Sequence, residues 1–298
     1  MVKNAYCKAR ALLLVPVVLT VFSGPSRAHF ELSHASSRAM ALGGAFCGFA
    51  DDPSAVHYNP AGLTNSSSIS FLSTYLKPYG IDDLDESSVA AVFPMKFGAA
   101  GLSWHRFTLR GVMAEDLITL GFGKDYIRTS QDASLSFGGS VDIARVSSGD
   151  RYRGSNTKVT GSLAVLLRPF PIIGIGYCVH NLVPHTFDFV SGDEGTRLER
   201  THVWSLAYHW NNAVSIVYDR ERDFGGSWNN HLGIEVTVQR GLQLRSGLNG
   251  GNVCGGAGLI VSGVIVDVGV ASHEDLGASY VLSIGYRFHG DAGEDDQE

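Results

Sequence analysis

The 298-residue chain has little from which chemistry could be built. Cysteine is scarce: Cys7 sits near the start, and Cys47, Cys178 and Cys254 are widely spaced. That spacing supplies neither a disulfide framework nor a metal-ligand pair, so the three later cysteines read as small apolar packing residues. Charge is sparse too, at 17% of residues. Lys3, Lys8, Arg10 and Arg27 fall in the first 28 residues, while all 29 acidic residues lie beyond them. The remainder therefore carries a net charge of about −10, which excludes nucleic acid as a partner because phosphate binding needs clustered Lys and Arg. No window approaches 18 uninterrupted apolar residues, so no transmembrane helix is expected. His105, His180, His185, His202, His209, His231 and His273 are scattered. None forms HExxH or sits with a nucleophile, and no G-x-S-x-G occurs. Neither an enzyme nor a cofactor is expected.

What is present begins with an export signal. Lys3, Lys8 and Arg10 precede the apolar run 11–22, and Ser26-Arg27-Ala28 places small residues at the cleavage positions. This layout predicts a signal peptide over 1–28. Gly is abundant at 36 residues, which fits a β protein with many turns and close backbone packing.

From residue 67 the sequence alternates with period two, as strands do when their faces meet different surroundings. In 231–239, Leu232, Ile234, Val236 and Val238 oppose His231, Gly233, Glu235, Thr237 and Gln239. Fourteen such runs are expected, near 67–77, 87–95, 97–107, 115–125, 133–145, 156–168, 171–181, 200–210, 212–220, 230–238, 242–249, 253–261, 264–272 and 278–288. Most have the length of a tilted membrane-spanning strand. Links after odd strands are long (78–86, 108–114, 146–155, 182–199, 221–229) and those after even strands tend to be short. The fold class that follows is all-β: a transmembrane antiparallel β-barrel of about 14 strands in an outer membrane, both termini periplasmic. A soluble sandwich or propeller is the rival, but it would carry Lys, Glu and Arg on its polar faces. Here those faces hold Gly, Ser, Thr and Ala, which suit a crowded lumen. Outer-membrane lipid is the expected surrounding partner.

Two details can be pressed further. A three-residue loop at Gln239-Arg240-Gly241 would pair Val238 with Leu242 and set Glu235 opposite Arg245, a lumenal ion pair. In 280–288, Tyr280, Leu282, Ile284, Tyr286 and Phe288 share one face, with aromatics at the strand end as in a membrane-boundary girdle. That segment resembles the C-terminal strand by which barrel assembly machinery recognises outer-membrane proteins. An acidic tail, 289–298, follows it.

The window 38–63, RAMALGGAFCGFADDPSAVHYNPAGL, invites an acid–base reading, but its residues have simpler roles. Asp51-Asp52-Pro53 reads as a cap for a short helical turn, Asp52 accepting from free N–H groups. His57 lacks a partner at catalytic or metal spacing. Asn59-Pro60-Ala61-Gly62 reads as a turn, with Gly62 supplying positive φ. Gly43-Gly44 lets the chain pass close to the barrel wall.

Arg38-Ala39-Met40-x-x-Gly43-Gly44-Ala45-Phe46, then Ala50-Asp51-Asp52-x-x-Ala55, then Asn59-Pro60-Ala61-Gly62-Leu63 resembles the N-terminal signature of the FadL/OmpP1-like outer-membrane proteins and their PorV-like branch. The resemblance implies a plug, 29–66, inside a barrel, 67–288. In the FadL branch hydrophobic molecules such as long-chain fatty acids enter from outside and leave through a kinked third strand. Gly98-Ala99-Ala100-Gly101 falls in the third run here and is the expected kink. In the PorV-like branch the barrel is an accessory of a protein secretion and surface-attachment system. A hydrophobic ligand is the expected cargo in the first case and a protein partner in the second.

Overall fold

The computed structural model describes residues 35–129, 133–148, 154–187, 196–211, 213–223 and 226–288. The expected signal peptide and acidic tail lie outside the described residues. Fourteen strands close into one antiparallel barrel. The first seven are β1 (Ser70–Lys77), β2 (Leu84–Met95), β3 (Gly98–Leu109), β4 (Met113–Arg128), β5 (Ser134–Ser148), β6 (Gly154–Phe170) and β7 (Ile173–His180). A two-stranded hairpin, β8 (His185–Phe187) with β9 (Thr196–Leu198), interrupts the link to the next wall strand. The wall continues through β10 (Thr201–Trp210), β11 (Val214–Asp223), β12 (Trp228–Gln239), β13 (Leu242–Asn249), β14 (Asn252–Val261), β15 (Val264–His273) and β16 (Gly277–Arg287). β16 pairs with β1, Ser70 opposite Arg287, and closes the ring.

Every strand shows why the alternation exists. On β12, Ile234, Val236 and Val238 are exposed while His231, Gly233 and Glu235 are buried. The apolar face looks outward and the polar face inward, the reverse of a water-soluble sheet and the requirement of a barrel bathed in hydrocarbon. Closure also satisfies every wall strand's backbone partners without leaving an edge.

Three expectations change. The links after odd strands are shorter than expected: 108–114 shrinks to 110–112 because β3 and β4 continue pairing to Leu109↔Met113. β4, β5 and β6 reach 16, 15 and 17 residues for the same reason. Apolar alternation stops at the hydrocarbon boundary, but backbone pairing runs on through Ser147, Ser148, Gly154 and Ser155, which sequence pattern alone assigns to loop. At the β12–β13 turn, Gln239 rather than Val238 pairs with Leu242. A two-residue turn, Arg240-Gly241 with Gly241 at φ 85°, is combined with a bulge between Thr237 and Gln239. The bulge absorbs the residue that a three-residue loop would have used, so the deeper register is the same. Finally, Gly98-Ala99-Ala100-Gly101, expected as a kink, lies in a strand that stays paired on both edges. β3 pairs with β2 from Gly98 to Leu109 and with β4 from Ala99 onward, with no register shift on either edge.

Candidate functional site: the plug and its seat

Residues 35–65 fill the lumen, and nearly all are buried. Ser36 caps the first helix, α1 (Ser37–Ala41), its hydroxyl accepting from Ala39 N–H at 3.1 Å. The chain then turns at Gly43 and Gly44, both at positive φ. A Cβ on Gly43 would lie 2.4 Å from the Leu248 carbonyl oxygen, and one on Gly247 would lie 2.3 Å from Gly43 N. Backbone touches backbone here, and only glycine on both sides permits it.

Wall side chains satisfy the plug's free N–H groups as it passes. Asp219 Oδ2 accepts from Phe46 and Cys47 at 2.8 Å each, and Ser205 Oγ accepts from Gly48 at 2.7 Å. His231 Nδ1 donates to the Gly43 carbonyl at 2.8 Å. At the closing seam of the barrel, Ser37 N–H donates to Ser283 Oγ at 2.9 Å, and Ser283 Oγ also meets Thr74 Oγ1 at 2.7 Å. The first plug helix thereby bridges β16 and β1. Cys47, Cys178 and Cys254 are free and buried.

The strongest link is a ladder of charge. Asp267 holds Arg245, Arg245 Nε donates to Glu235 at 2.7 Å, and Glu235 receives Arg38 Nε at 2.8 Å. Arg38 Nη1 goes on to Asp51 at 2.5 Å and stands 3.7 Å from Asp52. Its guanidinium also lies over the rings of Phe46 and Phe49, 5.5 and 5.0 Å from their centroids. Burial alone would lower the Arg38 pKa, but the carboxylates of Asp51 and Glu235 more than offset it and hold the group charged. Glu235 and Arg245 face each other in register, so the strand pattern locates that pair. Arg38 as the bridge to the plug is not deducible from strand pattern. Its one signal is that it is the sole Lys or Arg of 35–66, in a segment that also carries Asp51 and Asp52.

The other motif residues have local roles. Asp52 Oδ1 accepts from Ser54 N–H at 2.8 Å, ahead of the second helix, α2 (Ala55–Tyr58). Burial raises its pKa. Asn59 Oδ1 accepts from Ala61 N–H at 3.1 Å and caps a 3-10 turn, Pro60–Asn65, with Pro60 in its first turn. Gly62 is not at positive φ, contrary to the turn reading. A Cβ there would sit 2.2 Å from the Ala50 carbonyl oxygen, so its requirement is closeness. Gly101 serves the plug likewise: its Cβ would meet Leu63 and Val56 at 2.9 Å. Ala99 packs in the same cluster, with Val56, Leu63, Ala90 and Val92, while Ala100 faces Phe122 across the strand pair.

Beside Val56, the sealed packing gives way to polar groups without partners. His57 is buried with both ring nitrogens unbonded, and Ser103 Oγ and Thr119 Oγ1, opposite each other on β3 and β4, are equally unsatisfied. Burial, aided by His105 and His180, pushes the His57 pKa down to about 3. Above them the β8–β9 hairpin folds inward. Phe187 and Leu198 pack fully buried on Leu117, Ala144 and Val146 of β4 and β5. The lumen is thus filled from one end by the plug and covered from the other by the hairpin. Among the described residues no group of three or more His, Cys, Asp or Glu could hold a metal ion.

Solved structures resemble this arrangement over most of the chain. The toluene transporter TbuX of Ralstonia pickettii superposes with TM-score 0.62 at 15% identity, covering 88% of this chain and 100% of that one. The P. putida toluene transporter TodX gives 0.63 at 13% identity, covering 87% and 100%. A Pseudomonas aeruginosa FadL homologue gives 0.62 at 13%, covering 86% and 98%. The chain shares their fold. No protein-family model and no curated protein matches the sequence.

Proposed function

We propose that the protein is a plugged channel of a diderm outer membrane, both termini periplasmic, through which hydrophobic small molecules cross passively. Long-chain fatty acids and monoaromatic hydrocarbons are the class in view, and no catalysis is assigned. The observation that carries this reading is how the plug is fixed. Arg38, Ser37 and the 43–48 turn hold it by ion pairs and hydrogen bonds, with no covalent tie among the described residues. Each of the neutral hydrogen bonds exchanges with water at modest net cost, about 0.5–1.5 kcal/mol. A plug so held can shift as a ligand enters. The apolar faces of Phe187, Leu198 and Leu117 would receive the ligand, at about 25 cal/mol per Å² of apolar area removed from water. The fold shared with hydrocarbon transporters supports the same reading.

The test uses Ser37 and Ser283, whose hydroxyls meet at 2.7 Å. Ser37→Cys with Ser283→Cys would join plug to wall under oxidation. Uptake of N-phenylnaphthylamine by intact diderm cells making this variant should fall on oxidation and recover on reduction. Uptake no greater than in cells lacking the protein would sink the channel reading.

A second reading, a PorV-like accessory barrel of a secretion system, draws on the backbone-to-backbone seating at Gly43 and Gly247, which suits a barrel filled for good. Absence of uptake together with co-purification of a secretion component would favour it.

A further inference from the structure

The outward face of the barrel, which the channel reading leaves unused, carries a groove of about 410 Å³ across β3, β4, β5 and β6. Its residues are arranged in two tiers by strand register. The lower tier is apolar: Trp104 opposes Ile118, and Ile118 opposes Ile143. One step toward the β3–β4 link, the upper tier is polar: Arg106 opposes Asp116, Asp116 opposes Arg145, and Arg145 opposes Thr157. Below both, Leu102, Leu120 and Val141 continue the hydrocarbon-facing wall. Charge on the outside of a membrane barrel is tolerated only near the interface, so the upper tier marks the hydrocarbon boundary.

The upper tier is also unbalanced. Asp116 is engaged on one side, accepting from Trp104 Nε1 at 3.0 Å and standing 3.5 Å from Arg106 Nη1. Arg145 has no ion pair or hydrogen bond among the described residues. The far side of the barrel differs: Arg220 and Arg222 both lie over the Trp228 ring, at 4.1 and 5.2 Å. A free guanidinium at the membrane boundary, directly above a tryptophan–isoleucine tier, complements an amphiphile with a phosphate head and acyl chains. Guanidinium binds phosphate oxygens in a paired geometry that an ammonium lacks.

We propose that this groove is a binding site for a phosphorylated glycolipid of the outer leaflet. Arg106 and Arg145 would hold a phosphate, and acyl chains would lie along Trp104, Ile118 and Ile143. The assignment to the outer leaflet rests on the orientation given under Proposed function, with the strand links at this rim facing outward. It is independent of whether the lumen conducts.

The test is binding of the full-length protein in detergent micelles to four probes, measured by native mass spectrometry. These are a diphosphorylated hexa-acyl glycolipid, its dephosphorylated form, phosphatidylglycerol and inorganic phosphate. The expected result is preference for the diphosphorylated glycolipid, at least tenfold over the other three, lost in R106Q/R145Q and kept in Lys124→Gln at the opposite rim. Arg145→Gln alone removes no intramolecular partner, and should lose most of the preference should the double variant fail to fold. Unchanged binding in Arg145→Gln would overturn the site. Equal binding of phosphatidylglycerol would overturn the glycolipid as the ligand, and equal binding of inorganic phosphate would overturn any lipid as ligand. Uptake of hydrophobic dye is read separately, so loss of one result leaves the other standing.

Discussion

At the scale of the residue, the plug depends on a few polar atoms placed in a dry setting. Arg38 neutralises Asp51, stands near the buried Asp52 and shares Glu235 with Arg245, so removing it leaves the two aspartates without their cation and Glu235 with Arg245 alone. Breaking a buried ion pair from one side costs about 3–5 kcal/mol. Arg38→Met should therefore raise hydrogen exchange of residues 36–50 by two orders of magnitude or more, while the wall strands keep their protection. His57 gives a second expectation. Its seated pKa, about 3, lies below the ordinary histidine value, so the released plug binds the extra proton. Seating is therefore strongest above pH 6.5 and weakens as pH falls toward 3, by about 2 kcal/mol between pH 7.5 and 5. Asp52, with its raised pKa, works in the opposite direction, so the readout is a difference. Exchange-derived seating energies of the protein and of His57→Phe should diverge below pH 6.5; parallel profiles would refute the assignment. The Glu235–Arg245 pair was legible because strand register places it. Arg38 was not, because its partners lie 13 and 197 positions away and no periodicity connects them.

At the scale of the element, period-two alternation located the centres of all fourteen wall strands, since hydrocarbon outside and plug inside impose opposite demands on successive residues. It failed where those demands stop. The loop-side extensions of β4, β5 and β6 pair through serines and a glycine that carry no facial preference. The β8–β9 hairpin was illegible for a related reason: three residues per strand are too few to show a period. Its anchor is Phe187, fully buried against Leu117, Ala144 and Val146. Phe187→Ala should weaken docking of the hairpin by about 3 kcal/mol, within the range for buried Phe→Ala changes. Exchange of residues 185–187 and 196–198 would report it, and unchanged protection there would show that the hairpin is held elsewhere.

At the scale of the whole molecule, the barrel is an unbroken ring. In the stretch read as a kink, 98–101, Gly101 lies against Val56 and Leu63 of the plug, and β2 and β3 pair without interruption along it. The channel proposed above is therefore expected to work without an exit between these strands. Cysteines at Ala91 and Leu102, which oppose each other across β2 and β3, would join the two strands on oxidation. Dye uptake by A91C/L102C should be the same before and after oxidation; a fall on oxidation would show that the strands part. The small residues of 98–101 read as a kink, because sequence alone does not show that the chain's own N-terminal segment packs against Gly101.

The bridge that Ser37 makes to Ser283, and Ser283 to Thr74, has a consequence for biogenesis. Its three members come from the plug, the last strand and the first strand. The earliest-synthesised part of the described chain therefore has no complete berth until the latest-synthesised part has been zipped onto β1. Seating the plug is thus tied to closure of the ring: in a barrel arrested with its seam apart, Ser37 would lack the Ser283–Thr74 pair that receives it.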